Sequence, residues 1–488
     1  MEEALNPKAH RILFFNTVAF TICFSAWMLN GTLVSYLVEN RVFDWTPVEI
    51  GWLLGVPVLT GAIFRLPVGL LTDRFGGRII FSLVMLISAV PMFLLAFVNS
   101  YILFLLCSFG FGLTGASFAA GVAYTSIWYP AKWQGTALGI FGIGNLGAAL
   151  TTLIAPTVLL NLTDNGKYLD LWRTLPIIYS VILFAMGIIF YLFTGNKKPI
   201  RDGKKSTELL APLKDMRVWR FGLYYFLVFG CFVAFSQWLI PYYLNVYYMP
   251  FIKAGMVASL FSLPASIVRT LGGWLSDKFG PRKVLLTVFI FSILISFLLV
   301  FPKMELSSPG KGIIAKGKGI VTSVSDSMVV INNTNYSMTP FVANSEFNDS
   351  SFIVLPQRVA WQVPIIKVGN EVKKNQLIAK GITKINFQAN VNIFALFVLL
   401  IGLTWGLGMG AVYKFIPMYF PNTVGVVGGT VGVLGGLGGF FGPIIFGYLL
   451  EFTGLWTSSW IFIFLLSIVC FAWMQIVINK IKNQNENR

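Results

Sequence analysis

The feature that most constrains this chain is a series of long apolar stretches separated by short polar ones. A helix needs about 20 apolar residues to cross the hydrocarbon core of a bilayer. Twelve such stretches lie near residues 12–37, 51–71, 79–98, 102–127, 135–161, 172–195, 219–245, 254–275, 284–301, 391–414, 424–450 and 457–479. The sequence therefore predicts an all-α membrane protein with twelve transmembrane helices.

The charge of the chain agrees with a membrane location rather than with a nucleic-acid partner. Only 11% of the residues are charged, whereas soluble domains carry about 25%. The net charge is +17, but many of the basic residues lie in one loop, 195–217, between the sixth and seventh spans. Loops rich in Lys and Arg mark the cytoplasmic side. We predict a multi-pass protein of the cytoplasmic (inner) membrane, with both termini cytoplasmic, the lipid bilayer as a partner and no nucleic-acid partner.

Residues that usually hold metals or cofactors are scarce. The four cysteines lie inside apolar spans, and the single histidine, His10, precedes the first span. Such cysteines are typical of buried apolar side chains rather than of disulfides or metal ligands. The sequence contains no evident metal cluster and no nucleophile paired with a base. We therefore predict no cofactor, no metal and no enzymatic activity.

One polar stretch, residues 303–388, interrupts the series between the ninth and tenth spans. Its alternating runs at 320–324 and 328–331 are typical of strands. The run at 368–379 resembles the second half of a biotinyl/lipoyl-like barrel-sandwich domain, without a lysine in the hairpin that such carriers modify. We predict a small all-β extracytoplasmic insertion with a structural or docking role. Its partner is not identified, and the whole chain is predicted to be a monomer.

An internal repeat divides the spans into two halves. Residues 65–78 and 269–282 share Arg, Gly, Leu, Asp, Phe, Gly and Arg at matching places. Duplicated halves are typical of transporters, whose substrate sites lie near the midplane where the repeats meet. We predict two pseudo-symmetric six-helix halves joined by a basic cytoplasmic linker. The predicted boundaries are 1–195 for the first half, 196–217 for the linker, 218–302 and 389–488 for the second half, and 303–388 for the insertion.

Two arginines occupy matching positions within this repeat. Arg65 lies eight residues before Asp73, which at about 1.5 Å per helical residue places it near the middle of the membrane. Arg269 has the equivalent place in the eighth span, and no span contains a carboxylate to pair with either. A mid-membrane arginine costs at least about 2.5 kcal/mol. Because a guanidinium fork binds planar oxyanions, the pair predicts a site for a small anion; the structural alternative is that the arginines snorkel to the interface or bond to backbone carbonyls.

Glycine runs in the fifth span (142–147) and the eleventh span (432–439) form a second group. Glycines let helices approach closely, so packing alone accounts for such runs. Asn145, inside the first run, is an amide in an apolar helix and can donate to an anion.

Two stretches resemble the G-x3-D-[RK]-x-G-x-[RK] loop of the major facilitator superfamily. They run from Gly69 to Arg78 and from Gly273 to Arg282, at the cytoplasmic end of the second helix of each half. The resemblance implies that these loops hold helix ends together during gating. It assigns this role to Asp73, Arg74, Arg78, Asp277, Lys278 and Arg282.

Three further stretches resemble the nitrate/nitrite porter family of that superfamily. They are 144–147, the glycine run 435–441 with Pro443, and 410–417. The resemblance implies that Arg65 and Arg269 bind the substrate, with Tyr225 as a contact and Phe118 and Phe229 as covering aromatics. The predicted substrate-binding residues are Arg65, Arg269, Asn145, Tyr225, Phe118, Phe229, Gly144, Gly435 and Gly436. The insertion at 303–388 is not a usual feature of the family.

The sequence and the resemblance together predict transport of nitrate, nitrite or both by alternating access. Because no Asp, Glu or His lies in the middle of a span, nitrate/nitrite exchange is favoured over proton-coupled uptake, which usually needs a titratable relay. Two alternatives stay open: transport of another small anion such as formate, and a sensor whose insertion reports anion occupancy to a partner.

Overall fold

A computed structural model describes residues 8–197, 211–301, 304–341, 357–387, 391–420 and 424–486. Twelve helices in these ranges are long and apolar enough to cross a membrane. They are α1 (Lys8–Glu39), α2 (Pro47–Phe75), α3 (Gly77–Phe97), α4 (Tyr101–Trp128), α5 (Ala137–Leu162), α6 (Leu169–Phe193), α7 (Met216–Tyr247), α8 (Phe251–Phe279), α9 (Pro281–Val300), α10 (Val391–Tyr419), α11 (Val426–Thr453) and α12 (Ser458–Lys480). Most of the predicted basic linker, 198–210, lies outside the described residues.

Regular helix extends beyond three of these spans. It begins at Ala131 before α5 and at Val424 before α11, and it continues to Glu486 after α12. The twelve helices, together with small sheets between α9 and α10, confirm the predicted fold class.

Four helices change geometry in mid-span. α1 is interrupted at Met28, while α4 and α5 contain 3₁₀ turns at Gly112–Ala116 and Ile143–Asn145. α7 contains a π-helical turn at Phe226–Gly230. Such turns are frequent at functional sites, because they redirect the side chains beside them. Here they fall next to or within the predicted substrate-binding residues of α4, α5 and α7.

The ends of α2 and α8 show how the repeat sets local structure. α2 begins with a capping box, in which the Thr46 side chain accepts from the Glu49 backbone N–H and the Glu49 carboxylate accepts from that of Thr46. α2 ends at Gly76 with φ 93°, and α8 ends at Gly280 with φ 85°. Positive φ favours glycine. The shared Gly of the repeat is therefore a helix stop in both halves.

α8 and α10 pack backbone against backbone. Three glycines of α10, spaced four residues apart, face three residues of α8 with the same spacing. A Cβ built on Gly402, Gly406 or Gly410 would lie 2.5, 2.4 or 2.4 Å from the carbonyl oxygen of Phe261, Ala265 or Arg269, respectively. This close approach fixes the backbone that carries Arg269.

The two halves meet along α2 and α11. These contacts begin at the end of the bundle that lies opposite residues 8 and 486, and they continue to the middle of the bundle. A Cβ on Gly51, Gly55 or Gly436 would lie 2.6 Å from the Pro443 carbonyl oxygen, 2.7 Å from the Phe440 carbonyl oxygen, or 2.6 Å from the Ala62 Cβ, respectively. Toward the other end, Gly429 has no atom within 4 Å of such a Cβ. Along α2 and α11, the halves are therefore packed most closely on the side away from the termini.

The second compact unit spans Phe301–Phe394. Its strands are β1 (Met304–Ile314), β2 (Gly319–Val324), β3 (Met328–Ile331), β4 (Thr334–Ser337), β5 (Gln357–Pro364), β6 (Glu371–Val372) and β7 (Leu377–Phe387). They form two antiparallel sheets, ordered β1-β7-β5 and β4-β3-β2-β6. A small core holds the unit together: Ala315, Val321, Val329, Ile331, Tyr336, Met338, Val372, Ile378 and Ala379.

Candidate functional site

Arg65 lies in α2 where the two halves meet. It is 3% exposed, and one Nη donates a hydrogen bond to the carbonyl of Gly432 in α11, in the other half. The guanidinium carbon lies 5.8, 5.5 and 5.3 Å from the ring centroids of Trp27, Phe118 and Phe229. Its Nε has no hydrogen-bond partner among the described residues. Bonding to a backbone carbonyl therefore uses only some of the donor groups of the Arg65 guanidinium.

Arg269 lies in α8 and is half-buried. One Nη donates to the Tyr225 hydroxyl at 3.4 Å, while the other is buried and has no partner among the described residues. The guanidinium carbon lies 5.6 Å from the ring centroid of Phe118 and 5.7 Å from that of Tyr413. The donor groups of Arg269, like those of Arg65, are only partly used by the protein.

Phe118 links the two arginines. Its ring lies within cation–π distance of both guanidiniums, one from each half. No aspartate or glutamate among the described residues is buried, so no interior carboxylate balances this charge. The structure thus brings together two cations at one aromatic ring, where charge is poorly screened by water.

Tyr225 and Phe229 of α7 form the next side of the site. Their rings stack with centroids 4.8 Å apart and an interplanar angle of 4°. A Cβ on Gly435 would lie 2.2 Å from the Tyr225 ring, and one on Gly436 would lie 3.7 Å from the Nη1 of Arg65. The glycines of α11 therefore make room for the tyrosine and for the arginine.

Asn145 and Gly144 lie at the 3₁₀ turn of α5. Asn145 is 1% exposed, and neither its amide oxygen nor its amide nitrogen has a hydrogen-bond partner among the described residues. A buried amide without partners is costly, so Asn145 is suited to a ligand. Gly144 packs instead against α1, where its Cβ would lie 2.3 Å from the Phe20 ring. Phe20 in turn lies 5.6 Å from Phe118.

In the first half, the predicted gating loop contacts the end of α6. Arg78 donates from Nε to the Tyr191 carbonyl at 2.6 Å, and its guanidinium lies 4.2 Å from the Tyr191 ring. Arg74 lies over Phe75 at 5.2 Å, and Asp73 is exposed at the end of α2. The contacts of Arg78 with Tyr191 join the start of α3 to the end of α6, within one half.

In the second half, the equivalent loop contacts α10. Asp277 pairs with Lys414, and Arg282 donates to the Tyr419 hydroxyl. Lys278 lies over the Trp274 ring at 5.3 Å. The ion pair joins α8 to α10 two turns from Arg269, at the end of the glycine contact described above.

Asp215 caps the start of α7. Hydrogen bonds from Arg217 to its side chain hold the pKa of Asp215 below its usual value.

Three groups at the site were not among the predicted residues. Tyr413 of α10 contacts Arg269, Trp27 of α1 contacts Arg65, and the Gly432 carbonyl accepts from Arg65. Tyr413 did lie within the 410–417 stretch that carried the family resemblance. Its contacts depend on how α10 is rotated against α7 and α8, which periodicity in an apolar helix does not show.

The close contact between Gly410 of α10 and the backbone of Arg269 in α8 gives a first test. In Gly410→Ala, the new Cβ would lie 2.4 Å from the Arg269 carbonyl and 2.6 Å from the Gly273 nitrogen. Because both are backbone atoms, we expect α8 and α10 to separate, at a cost of about 1–3 kcal/mol. Thermal unfolding in detergent should shift down by several degrees. Gly273→Ala is the control, since its Cβ meets no atom within 4 Å; equal unfolding temperatures for the two variants would contradict the close packing.

Two six-helix halves with paired arginines between them define a secondary membrane transporter. The family model for the Major Facilitator Superfamily matches residues 15–342 of the sequence. The chain is 34% identical over 487 residues to "Probable nitrate/nitrite antiporter NarK1" of Thermus thermophilus, covering 99% of this chain and 94% of the relative. It is 26% identical to "Nitrite extrusion protein" of Bacillus subtilis, covering 71% of this chain and 83% of that one.

Solved structures agree on the fold. A bacterial homologue of the human lysosomal transporter Spinster has a TM-score of 0.64, 14% identity and 98% coverage of both chains. The nucleoside transporter NupG has a TM-score of 0.60 and 12% identity, covering 95% of this chain and 99% of that one. The chain belongs to the major facilitator superfamily and, within it, to the nitrate/nitrite porter family. It is a multi-pass membrane transporter.

Proposed function

We propose that this protein exchanges nitrate and nitrite across the cytoplasmic membrane by alternating access. The observation that carries the proposal is the convergence of Arg65 and Arg269 on Phe118 with no buried carboxylate among the described residues. The choice of nitrate and nitrite as the two anions comes from the names of the relatives in Thermus thermophilus and Bacillus subtilis. A small planar oxyanion fits the planar donor forks of arginine.

In this proposal, the free donors of the two guanidiniums bind the substrate oxygens. Asn145 donates from its amide, and the Tyr225 hydroxyl, which accepts from Arg269, has its own proton to donate. Phe118 and Phe229 cover the anion. Gly144, Gly435 and Gly436 allow the close packing that places these groups.

Exchange fits the site better than proton symport. A proton relay needs a group that titrates, and neither Asp, Glu nor His is among the buried residues that the structure describes. The arginines keep their charge at any physiological pH. Without an anion, the two like charges would oppose closure of the site. A bound anion must therefore accompany each return step, which is the defining property of an exchanger.

We place both termini in the cytoplasm and the insertion at 303–388 outside it. On this orientation, the close packing of α2 and α11 lies on the outer side, and the site opens inward. The repeated loops then act as inner latches, each joining helix ends within its own half through Arg78, Asp277 and Arg282. The insertion is assigned a structural or docking role, with transport performed by a monomer.

Exchange is tested by flux in proteoliposomes containing the purified protein. We expect rapid uptake of labelled nitrate when the vesicles contain nitrite or nitrate, and little uptake when they contain only an impermeant anion. Imposing a pH gradient should not change the rate. Vesicles loaded with formate test the other small anion. Uptake that needs no internal anion but follows the proton gradient would overturn the proposal of exchange. If neither nitrate nor nitrite competed with the labelled anion for uptake, the proposed substrates would be wrong.

A further inference from the structure

Tyr413 in α10 contacts three of the proposed substrate-binding residues: Tyr225, Phe118 and Arg269. Its ring centroid lies 5.0 Å from that of Tyr225, at an interplanar angle of 75°, and 6.5 Å from that of Phe118. The Arg269 guanidinium lies 5.7 Å from the ring. The side chain is half-buried rather than fully enclosed. Tyr413 therefore lies beside Tyr225, Phe118 and Arg269 in the wall of the site.

The Tyr413 hydroxyl has two neutral partners in the protein, the Tyr225 hydroxyl and the Gly428 carbonyl. It donates to the Gly428 carbonyl at 3.3 Å, whereas a good O–H···O bond is about 2.7 Å long. A Cβ on Gly432 would lie 3.2 Å from this hydroxyl and 3.5 Å from the Nη1 of Arg65. The hydroxyl thus lies against the same glycine of α11 as the Arg65 guanidinium, on the same side of the site.

We propose that Tyr413 is a further substrate-contacting residue, whose hydroxyl donates to the anion. The inference rests on the proposed function. Replacing a long bond to a neutral carbonyl by one to an oxyanion is favourable, because bonds to charged acceptors are shorter and roughly twice as strong. Packing alone would require only the ring.

The test is Tyr413→Phe, which keeps the ring and its contacts. Nitrate and nitrite binding to the purified protein would be measured by isothermal titration calorimetry, and the KM of each anion by exchange in proteoliposomes. We expect the affinity and KM of both anions to worsen about 3–10-fold, the range for loss of one hydrogen bond. Thermal unfolding of the ligand-free variant should match that of the wild type.

Tyr224→Phe is the matched control. Tyr224 neighbours Tyr225 in α7, is fully buried against Phe289, and its hydroxyl has no partner among the described residues; its loss should leave both anions unaffected. Wild-type affinity for both anions in Tyr413→Phe would overturn the inference while leaving the proposed function intact. Absence of nitrate and nitrite binding in the wild type would instead overturn the proposed function.

Discussion

Replacing Arg65 with lysine is expected to lower the kcat/KM of nitrate exchange by about 100-fold, a loss of the size found for charged hydrogen bonds. Lysine keeps the charge but offers a point ammonium in place of the planar fork. It cannot donate to Gly432 and to a substrate oxygen from two fixed directions, as Arg65 is placed to do. The measurement is the initial rate of labelled nitrate uptake into nitrite-loaded proteoliposomes, at equal protein incorporation.

The control for this substitution is Arg220→Lys. Arg220 lies in the first turns of α7, is half-buried and makes its ring contact with Phe221 rather than with the site. Its replacement should leave exchange close to the wild-type rate. Uptake by Arg65→Lys within twofold of the wild type would show that Arg65 does not bind the anion directly.

The second large effect is expected from Gly435→Ala in α11. The added Cβ would lie 2.2 Å from the Cδ1 of Tyr225 and would displace its ring. That ring stacks on Phe229 and carries the hydroxyl that accepts from Arg269, so one methyl group would disturb three site residues. Overpacking of this kind costs about 1–3 kcal/mol, and we expect exchange to fall about tenfold or more.

Gly429→Ala on the same helix is the comparison for this variant. Its Cβ would meet no atom within 4 Å, so the change in helix propensity and side-chain volume is the same without the clash. Exchange rates would be measured side by side with thermal unfolding. If Gly435→Ala retained the rate of Gly429→Ala, then the fit between Gly435 and Tyr225 would not matter for transport.

Much of the fold could be predicted because its signals are local. Each span is a run of apolar residues, and the insertion differs from them in composition. The arginine pair was also predictable, since the repeat placed Arg65 and Arg269 at equivalent depths and the cost of burying charge made them conspicuous. The structure brings both to the same aromatic ring.

The rest of the site depends on contacts between distant helices. Tyr413 and Trp27 look like ordinary aromatics in apolar helices, and only the rotation of α10 and α1 turns them toward the arginines. Gly432 acts through its backbone carbonyl, which no side-chain pattern reveals. Gly144 was predicted beside the substrate, and its contact is with Phe20 of the neighbouring helix. Its role at the site stays a prediction, as do those of the other residues proposed to bind the anion.

The most direct test of the central claim is equilibrium binding of nitrate to the purified protein, wild type against the Arg65→Lys, Arg269→Lys double variant. We expect one nitrate per wild-type chain, competitive displacement by nitrite, and no measurable binding to the double variant at concentrations that saturate the wild type. A correctly folded double variant that binds nitrate with wild-type affinity would contradict an anion site built from the two arginines.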